Sequence, residues 1–115
     1  MSYAIIDANI GIERAFGVAD IWRRAITTLM EELPGSIVDI ESALTEENHK
    51  ILIYHAHRLH SASIYCGTPE LQNAAKALEL ACGNTPDQVV DRLKELKAAV
   101  AALNAFVDAN GIPEI

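Results

Sequence analysis

The chain has 115 residues, half of them apolar and only 5% aromatic, and it carries a formal net charge of −7. This length allows one hydrophobic core without a second lobe, so we expect a single domain over residues 1–115. The acidic balance argues against nucleic-acid binding, which needs a basic stripe, and against contact with an anionic membrane surface. The many alanines and leucines favour helices packed on helices.

The sequence also lacks the patterns of a membrane helix and of a secretory leader. Its apolar runs stay well below the roughly 20 residues of a membrane span, and no basic and apolar leader opens the chain. Cys66 and Cys82 lie within helical patterns and show no metal-ligand spacing. We therefore expect a cytoplasmic protein in which both thiols are reduced, small core residues.

The first half of the chain predicts one short helix and one long helix. Residues 7–16 favour a short helix that ends at Gly17. Its apolar side chains are Ile10, Ile12 and Phe16. A longer apolar stripe then repeats every three or four residues through Trp22, Ile26, Leu29, Leu33, Ile37, Ile40 and Leu44. Pro34 removes a backbone hydrogen bond within this stripe, so we expect a kink there, with both halves facing one core.

Capping patterns divide the rest of the chain into three further helices. Thr45 is predicted to cap a helix over residues 46–66, and Thr68 a helix over residues 69–82. Thr85 opens the last helix with a capping-box pattern, and a glycine follows each of the three helices. Four main helices with short connections predict an all-α antiparallel four-helix bundle with a short extra N-terminal helix.

All four histidines fall within 12 residues of the helix predicted over residues 46–66. At about 100° per residue, one arc of this helix faces the core through Leu52, Ala56, Leu59, Ser63 and Cys66. His57 lies nearly opposite, so its ring should face solvent. Ile53, Tyr54 and Ile64 surround it, and an apolar surround of an ionisable group indicates a docking surface. The alternative is that the N-terminal segment covers this face and adds it to the core.

The tight turn at Gly67-Thr68 predicts that the helices on either side of it run antiparallel. Residues equidistant from the turn then lie at the same height, which pairs His57 with Glu79 and His60 with Lys76. A carboxylate beside an imidazole accepts the Nδ1–H and leaves Nε2 as the nucleophile.

The run Ala56-His57-Arg58-Leu59-His60-Ser61-Ala62-Ser63, with Gly67 and Leu78-Glu79, resembles the motif of histidine phosphotransfer (HPt) domains. The usual family pattern is Ala-His-x-Leu-Lys-Gly-Ser/Ala-Ser/Ala, then a glycine and an acidic or amide residue on the next helix. The segment from His57 to Pro69 is most similar to the C-terminal HPt modules of BarA/GacS-type tribrid sensor kinases.

His60 replaces the usual lysine, and Ser61 replaces the glycine that clears space for a receiver loop, so transfer is expected to be slower or more selective.

The resemblance implies a relay of a phosphoryl group between receiver-domain aspartates and His57 in a two-component system. Glu79 would orient His57, His60 and Lys76 would lie near the phosphoryl oxygens, and Ser61 would be the position of close approach. The docking surface would be Ile53, Tyr54 and Ile64. The partners implied are response-regulator receivers and a parent hybrid sensor kinase, with Mg²⁺ on the receiver and no cofactor in this chain.

The implied chain is a monomeric phosphotransfer intermediate. It has no Gly-rich phosphate loop, so we expect no kinase activity and no ATP site of its own. Two other functions stay open at this point: a non-catalytic helical adaptor, and a metal-binding bundle built on His57, His60 and Glu79. A hydrolase that pairs His57 with Ser61 or Ser63 would lack oxyanion donors in a helix interior.

Overall fold

The computed structural model describes residues 3–113, which form five α-helices joined by short turns. They are α1 (Ala8–Arg14), α2 (Ala19–Thr45), α3 (His49–Cys66), α4 (Pro69–Ala81) and α5 (Pro86–Asn110). Each helix from α2 to α4 packs on the next, α5 also contacts α2, and α1 lies against α2 and α3. The predicted all-α helical bundle is confirmed. Within residues 3–113, no helix is both long enough and apolar enough to cross a membrane.

The predicted apolar stripes form the core of the bundle. Helix α2 runs through Pro34, where we predicted a kink, without interruption. Buried residues lie on both sides of the proline, as predicted. The five residues of the predicted core arc on α3 are all buried. The largest fully buried side chains come from four helices: Trp22, Ile26, Leu33, Ile40, Leu52, Leu71, Leu78, Leu96 and Leu103. Both cysteines are buried and free, which confirms their prediction as core residues.

One predicted helix start is wrong, and at a second, correctly predicted start the capping side chain makes no hydrogen bond. Thr45 is the last residue of α2, and the cap of α3 is Asn48, whose side chain accepts a hydrogen bond from the Ile51 amide at 3.2 Å. The shift arises because Glu47 adopts a left-handed φ of 55°, which closes α2 by a turn before α3 can begin. The Thr85 hydroxyl makes no capping hydrogen bond within the described residues, because the Gln88 amide donates instead to the Thr85 backbone carbonyl.

Phe16 was predicted to join the core, and the structure contradicts this. The residue is 90% exposed. Helix α1 ends at Arg14, so Phe16 lies in the turn that follows, with a left-handed φ of 59° that directs its side chain away from the helix face. The other apolar residues of α1, Ile10 and Ile12, are half-buried.

The N-terminal segment is fixed to one end of the bundle. The Asp7 amide donates to the Gly67 carbonyl at 2.7 Å, and a Cβ at residue 67 would come within 2.5 Å of the Asp7 carbonyl oxygen. Gly11 packs on the Trp22 indole so closely that any side chain there would overlap the ring. The Trp22 Nε1–H in turn donates to the Cys66 carbonyl at 2.7 Å. These contacts leave the middle of α3 uncovered.

Candidate functional site

His57 lies in the middle of α3 with its ring directed to solvent, as predicted. Its side chain is 63% exposed, whereas the preceding residue, Ala56, is fully buried. The contacts of the N-terminal segment at Gly67 are ten residues farther along the chain, which is about 15 Å along the helix axis. The alternative in which that segment buries the His57 face is therefore wrong.

Glu79 on α4 contacts the His57 ring at the predicted height. Nδ1 of His57 lies 2.9 Å from Oε2 of Glu79. An ionised carboxylate only accepts hydrogen bonds, so Nδ1 carries the hydrogen and donates it. This places the remaining lone pair of the neutral ring on Nε2. The contact selects the tautomer that a nucleophilic imidazole needs.

His60 contacts the same carboxylate from one turn farther along α3. Its Nδ1 lies 3.3 Å from Oε1 of Glu79, and its side chain is only 17% exposed. The two histidine rings meet edge to face with their centroids 6.4 Å apart. The height match predicted Lys76 beside His60, but the charged side chain that contacts His60 is Glu79, while Lys76 is an exposed residue one turn earlier on α4.

The residues predicted to form the docking surface differ in their accessibility. Ile53 and Tyr54 are exposed, and the Arg58 guanidinium lies 5.9 Å from the centre of the Tyr54 ring. Ile64 is less accessible, because it is half-buried where Arg14 of α1 donates a hydrogen bond to its carbonyl. Ser61 is also half-buried. Ile53 and Tyr54 therefore form an exposed apolar surface beside His57. Ile64, which lies towards the N-terminal segment, adds less exposed area to it.

The two thiols, Cys66 and Cys82, are buried in their neutral form. Burial raises the pKa of the Cys66 thiol to about 11. The pKa of Cys82 is also raised, first by burial and then by the negative charge of Glu79. Neither side chain is a thiolate near neutral pH, so neither competes with His57 as a nucleophile.

Sequence reasoning missed two polar contacts that fix α3 in place, those of Arg14 and Trp22. Each donates to a backbone carbonyl in the last turn of α3, Arg14 to Ile64 and Trp22 to Cys66. The sequence did indicate that Trp22 makes such a contact, because a buried indole needs an acceptor for its N–H. No feature of the sequence indicates which carbonyl it selects.

Comparison with known proteins decides the family. Residues 24–106 match the model of the Hpt domain, the histidine phosphotransfer domain. The chain belongs to the Hpt family. Its function is histidine phosphotransfer in two-component signalling, as in the phosphorelay modules of hybrid sensor kinases.

The predicted likeness to GacS and BarA is confirmed. The chain is 29% identical over 106 residues to the sensor histidine kinase GacS of Pseudomonas protegens, a match that covers 92% of this chain and 12% of GacS. It is 28% identical over 95 residues to the histidine-protein kinase BarA of Escherichia coli, covering 81% of this chain and 10% of BarA. The chain thus spans only about a tenth of the length of these curated relatives.

A solved Hpt domain shares the fold. The crystal structure of the HPT domain from a sensor hybrid histidine kinase of Shewanella superposes with a TM-score of 0.71. The match covers 94% of this chain and 97% of that domain at 20% sequence identity. The bundle described above is therefore the Hpt fold.

Proposed function

We propose that His57 is the residue that accepts and passes on the phosphoryl group, and that its donors and acceptors are aspartates of response-regulator receiver domains. The observation that supports this is an exposed imidazole whose Nδ1–H donates to Glu79 at 2.9 Å. No other histidine of the helix combines an exposed ring with a carboxylate partner among the described residues.

The transfer step follows from the tautomer. The Nε2 lone pair of His57 attacks the phosphorus of the aspartyl phosphate, an Nε2–P bond forms, and the P–O bond to the aspartate breaks. The aspartate leaves as a carboxylate. The His57 ring keeps its Nδ1–H and becomes cationic, so the ionised Glu79 carboxylate stabilises the product through a charge-assisted hydrogen bond. The reverse steps return the group to a second receiver.

The rest of the chemistry is assigned to the partner. Phosphoryl transfer depends on in-line positioning and on neutralising charge on the phosphoryl oxygens. We assign the Mg²⁺ to the acidic pocket of the receiver and no cofactor to this chain. His60 and the exposed Lys76 are the groups of this chain that we place nearest to the phosphoryl oxygens.

The docking surface and the cellular setting complete the proposal. Ile53 and Tyr54 offer exposed apolar area beside His57, and Ile64 contributes its uncovered part. Ser61, one turn after His57, is the position that a receiver loop approaches most closely. We propose that the domain works in the cytoplasm as a monomer, with a parent hybrid kinase upstream.

A labelling experiment tests the acceptor assignment. Wild type, His57→Gln and the matched control His49→Gln are incubated with a panel of receivers phosphorylated with radioactive phosphate. We expect acid-labile, base-stable label on wild type and on the control, and none on His57→Gln. Circular dichroism and the melting temperature should stay near wild type, because His57 is exposed. Label retained on His57→Gln would refute the acceptor role, and a wild type that no receiver labels would favour a non-catalytic adaptor.

A further inference from the structure

The geometry points to a second use of the same cluster: His57, His60 and Glu79 bind a zinc ion, and bound zinc blocks phosphoryl transfer at His57. The binding of zinc depends only on the three side chains. The block also rests on the proposed acceptor role of His57, so the two parts are tested separately.

The first argument is the convergence of the donor atoms. One possible ligand atom of each of the three residues lies within 4.8 Å of the other two. Nδ1 of His57 lies 2.9 Å from one Glu79 oxygen, and Nδ1 of His60 lies 3.3 Å from the other. Tetrahedral zinc with bonds of about 2.0–2.2 Å places neighbouring donors about 3.3–3.6 Å apart. Small side-chain adjustments therefore bring the three donors into a zinc shell.

The second argument is the type of donor. Two imidazoles and one carboxylate form a three-ligand zinc set that leaves the fourth position to water or another ligand. Imidazole nitrogens favour zinc, whereas Mg²⁺ prefers oxygen donors alone. The Mg²⁺ that we assign to the receiver therefore does not compete for this site. His60 is decisive, because the lysine usual at this position in the family pattern is protonated and cannot coordinate a metal.

The block follows from the position of one hydrogen. Zinc on Nδ1 of His57 uses the lone pair of that nitrogen, so the hydrogen of the neutral ring moves to Nε2. Nε2 is the atom that must attack phosphorus, and in this tautomer it has no lone pair available. Zinc also occupies the Glu79 oxygens that would stabilise a cationic ring. Zinc binding and phosphorylation of His57 therefore exclude each other.

Zinc binding is measured by competition with a chromophoric chelator for wild type, His60→Lys and the control His49→Ala. His49 is an exposed histidine of the same helix, eight residues before His57 and about 12 Å away along the axis. We expect His60→Lys to bind zinc at least about tenfold more weakly than wild type, the lower end of the cost of removing even an outer-shell partner. His49→Ala should bind as wild type does. Equal binding by wild type and His60→Lys, or weakened binding in His49→Ala, would refute the site.

The block is measured as the rate of labelling by a phosphorylated receiver, in the presence of Mg²⁺, with zinc and with an excess of a zinc-selective chelator. Zinc at a saturating concentration should lower the wild-type rate at least about tenfold, since no more than a tenth of the sites then stay metal-free. For His60→Lys the same zinc concentration should lower the rate by no more than about twofold, because binding that is tenfold weaker leaves about half of the sites metal-free. Zinc that acted through the receiver would slow both proteins equally. Zinc that binds to wild type without slowing labelling would refute the block. Absence of labelling even with chelator would instead refute the acceptor role, while the binding assay still decides the metal site.

Discussion

The two faces of α3 carry different tasks, although their residues alternate along one helix. The core face consists of Leu52, Ala56, Leu59, Ser63 and Cys66, each at most 4% exposed. On the solvent face, the His57 ring makes a hydrogen bond to one side chain of α4, that of Glu79. Packing thus fixes the rotation of α3, and Glu79 alone fixes the tautomer of the reactive ring. The difference teaches that stability and reactivity should respond to separate substitutions.

The largest effect on stability is expected from the core face. Leu59→Ala should lower the free energy of unfolding by about 2–5 kcal/mol, because it removes buried methyl groups and leaves a cavity. Urea unfolding measures this change. Leu80→Ala is the matched control, since Leu80 is 68% exposed on α4, and it should change stability by no more than about 0.5 kcal/mol. Similar costs for both variants would contradict the division between the two faces.

The pH dependence of the free energy of unfolding tests the core face of α3 at Cys66. Burial raises the pKa of this thiol from its usual 9.0 to about 11, so the unfolded chain ionises first as the pH rises. The stability due to the neutral thiol is complete below pH 9 and is lost as the pH approaches 11. Between these values the free energy of unfolding should fall by up to about 1.4 kcal/mol per pH unit more steeply in wild type than in Cys66→Ala. Parallel slopes in urea unfolding of the two proteins would show that Cys66 ionises equally in both states.

Glu79→Gln tests the solvent face. The amide can still approach the His57 ring, but it has no charge to stabilise a cationic phosphohistidine. We expect the rate of labelling to fall by roughly 10–100-fold, as when a partner that orients a histidine is removed, with little change in melting temperature. Glu95→Gln, a change at an exposed carboxylate on α5, is the control and should label at the wild-type rate. A wild-type rate in Glu79→Gln would mean that the charge of Glu79 does not limit transfer.

Periodicity alone was enough to predict the bundle and the orientation of His57. The spacing of three and four residues defines the core face of α3, and the short turn at Gly67 sets the height of Glu79. Both inferences use only regular helix geometry. These inferences succeed because the turn between α3 and α4 is short. It fixes which residues of the two helices lie at the same height.

Features that depend on a few backbone torsions could not be predicted in this way. The segment Thr45-Glu46-Glu47-Asn48 contains two good capping residues, and only the left-handed torsion at Glu47 selects Asn48. The exposure of Phe16 depends on where α1 ends, which is the least certain part of any helix prediction. The contact of His60 with Glu79 depends on the side-chain torsions of His60. The sequence alone does not indicate whether this side chain turns towards Lys76 or towards Glu79 on α4.

The smallest effect is expected at Ser61, which lies between the two faces of α3. Its half-buried side chain marks where we place the incoming receiver loop, so Ser61→Gly should keep the rate of labelling or raise it. The cost to the helix should be only a few tenths of a kcal/mol, because serine is itself a modest helix former. Ser42→Gly on α2 is the control for that cost, since Ser42 is an exposed helical residue far from His57 in sequence. A large fall in labelling for Ser61→Gly at unchanged stability would mean that the hydroxyl contacts the phosphoryl group or the receiver, and the reactive face would then include Ser61 as a binding residue.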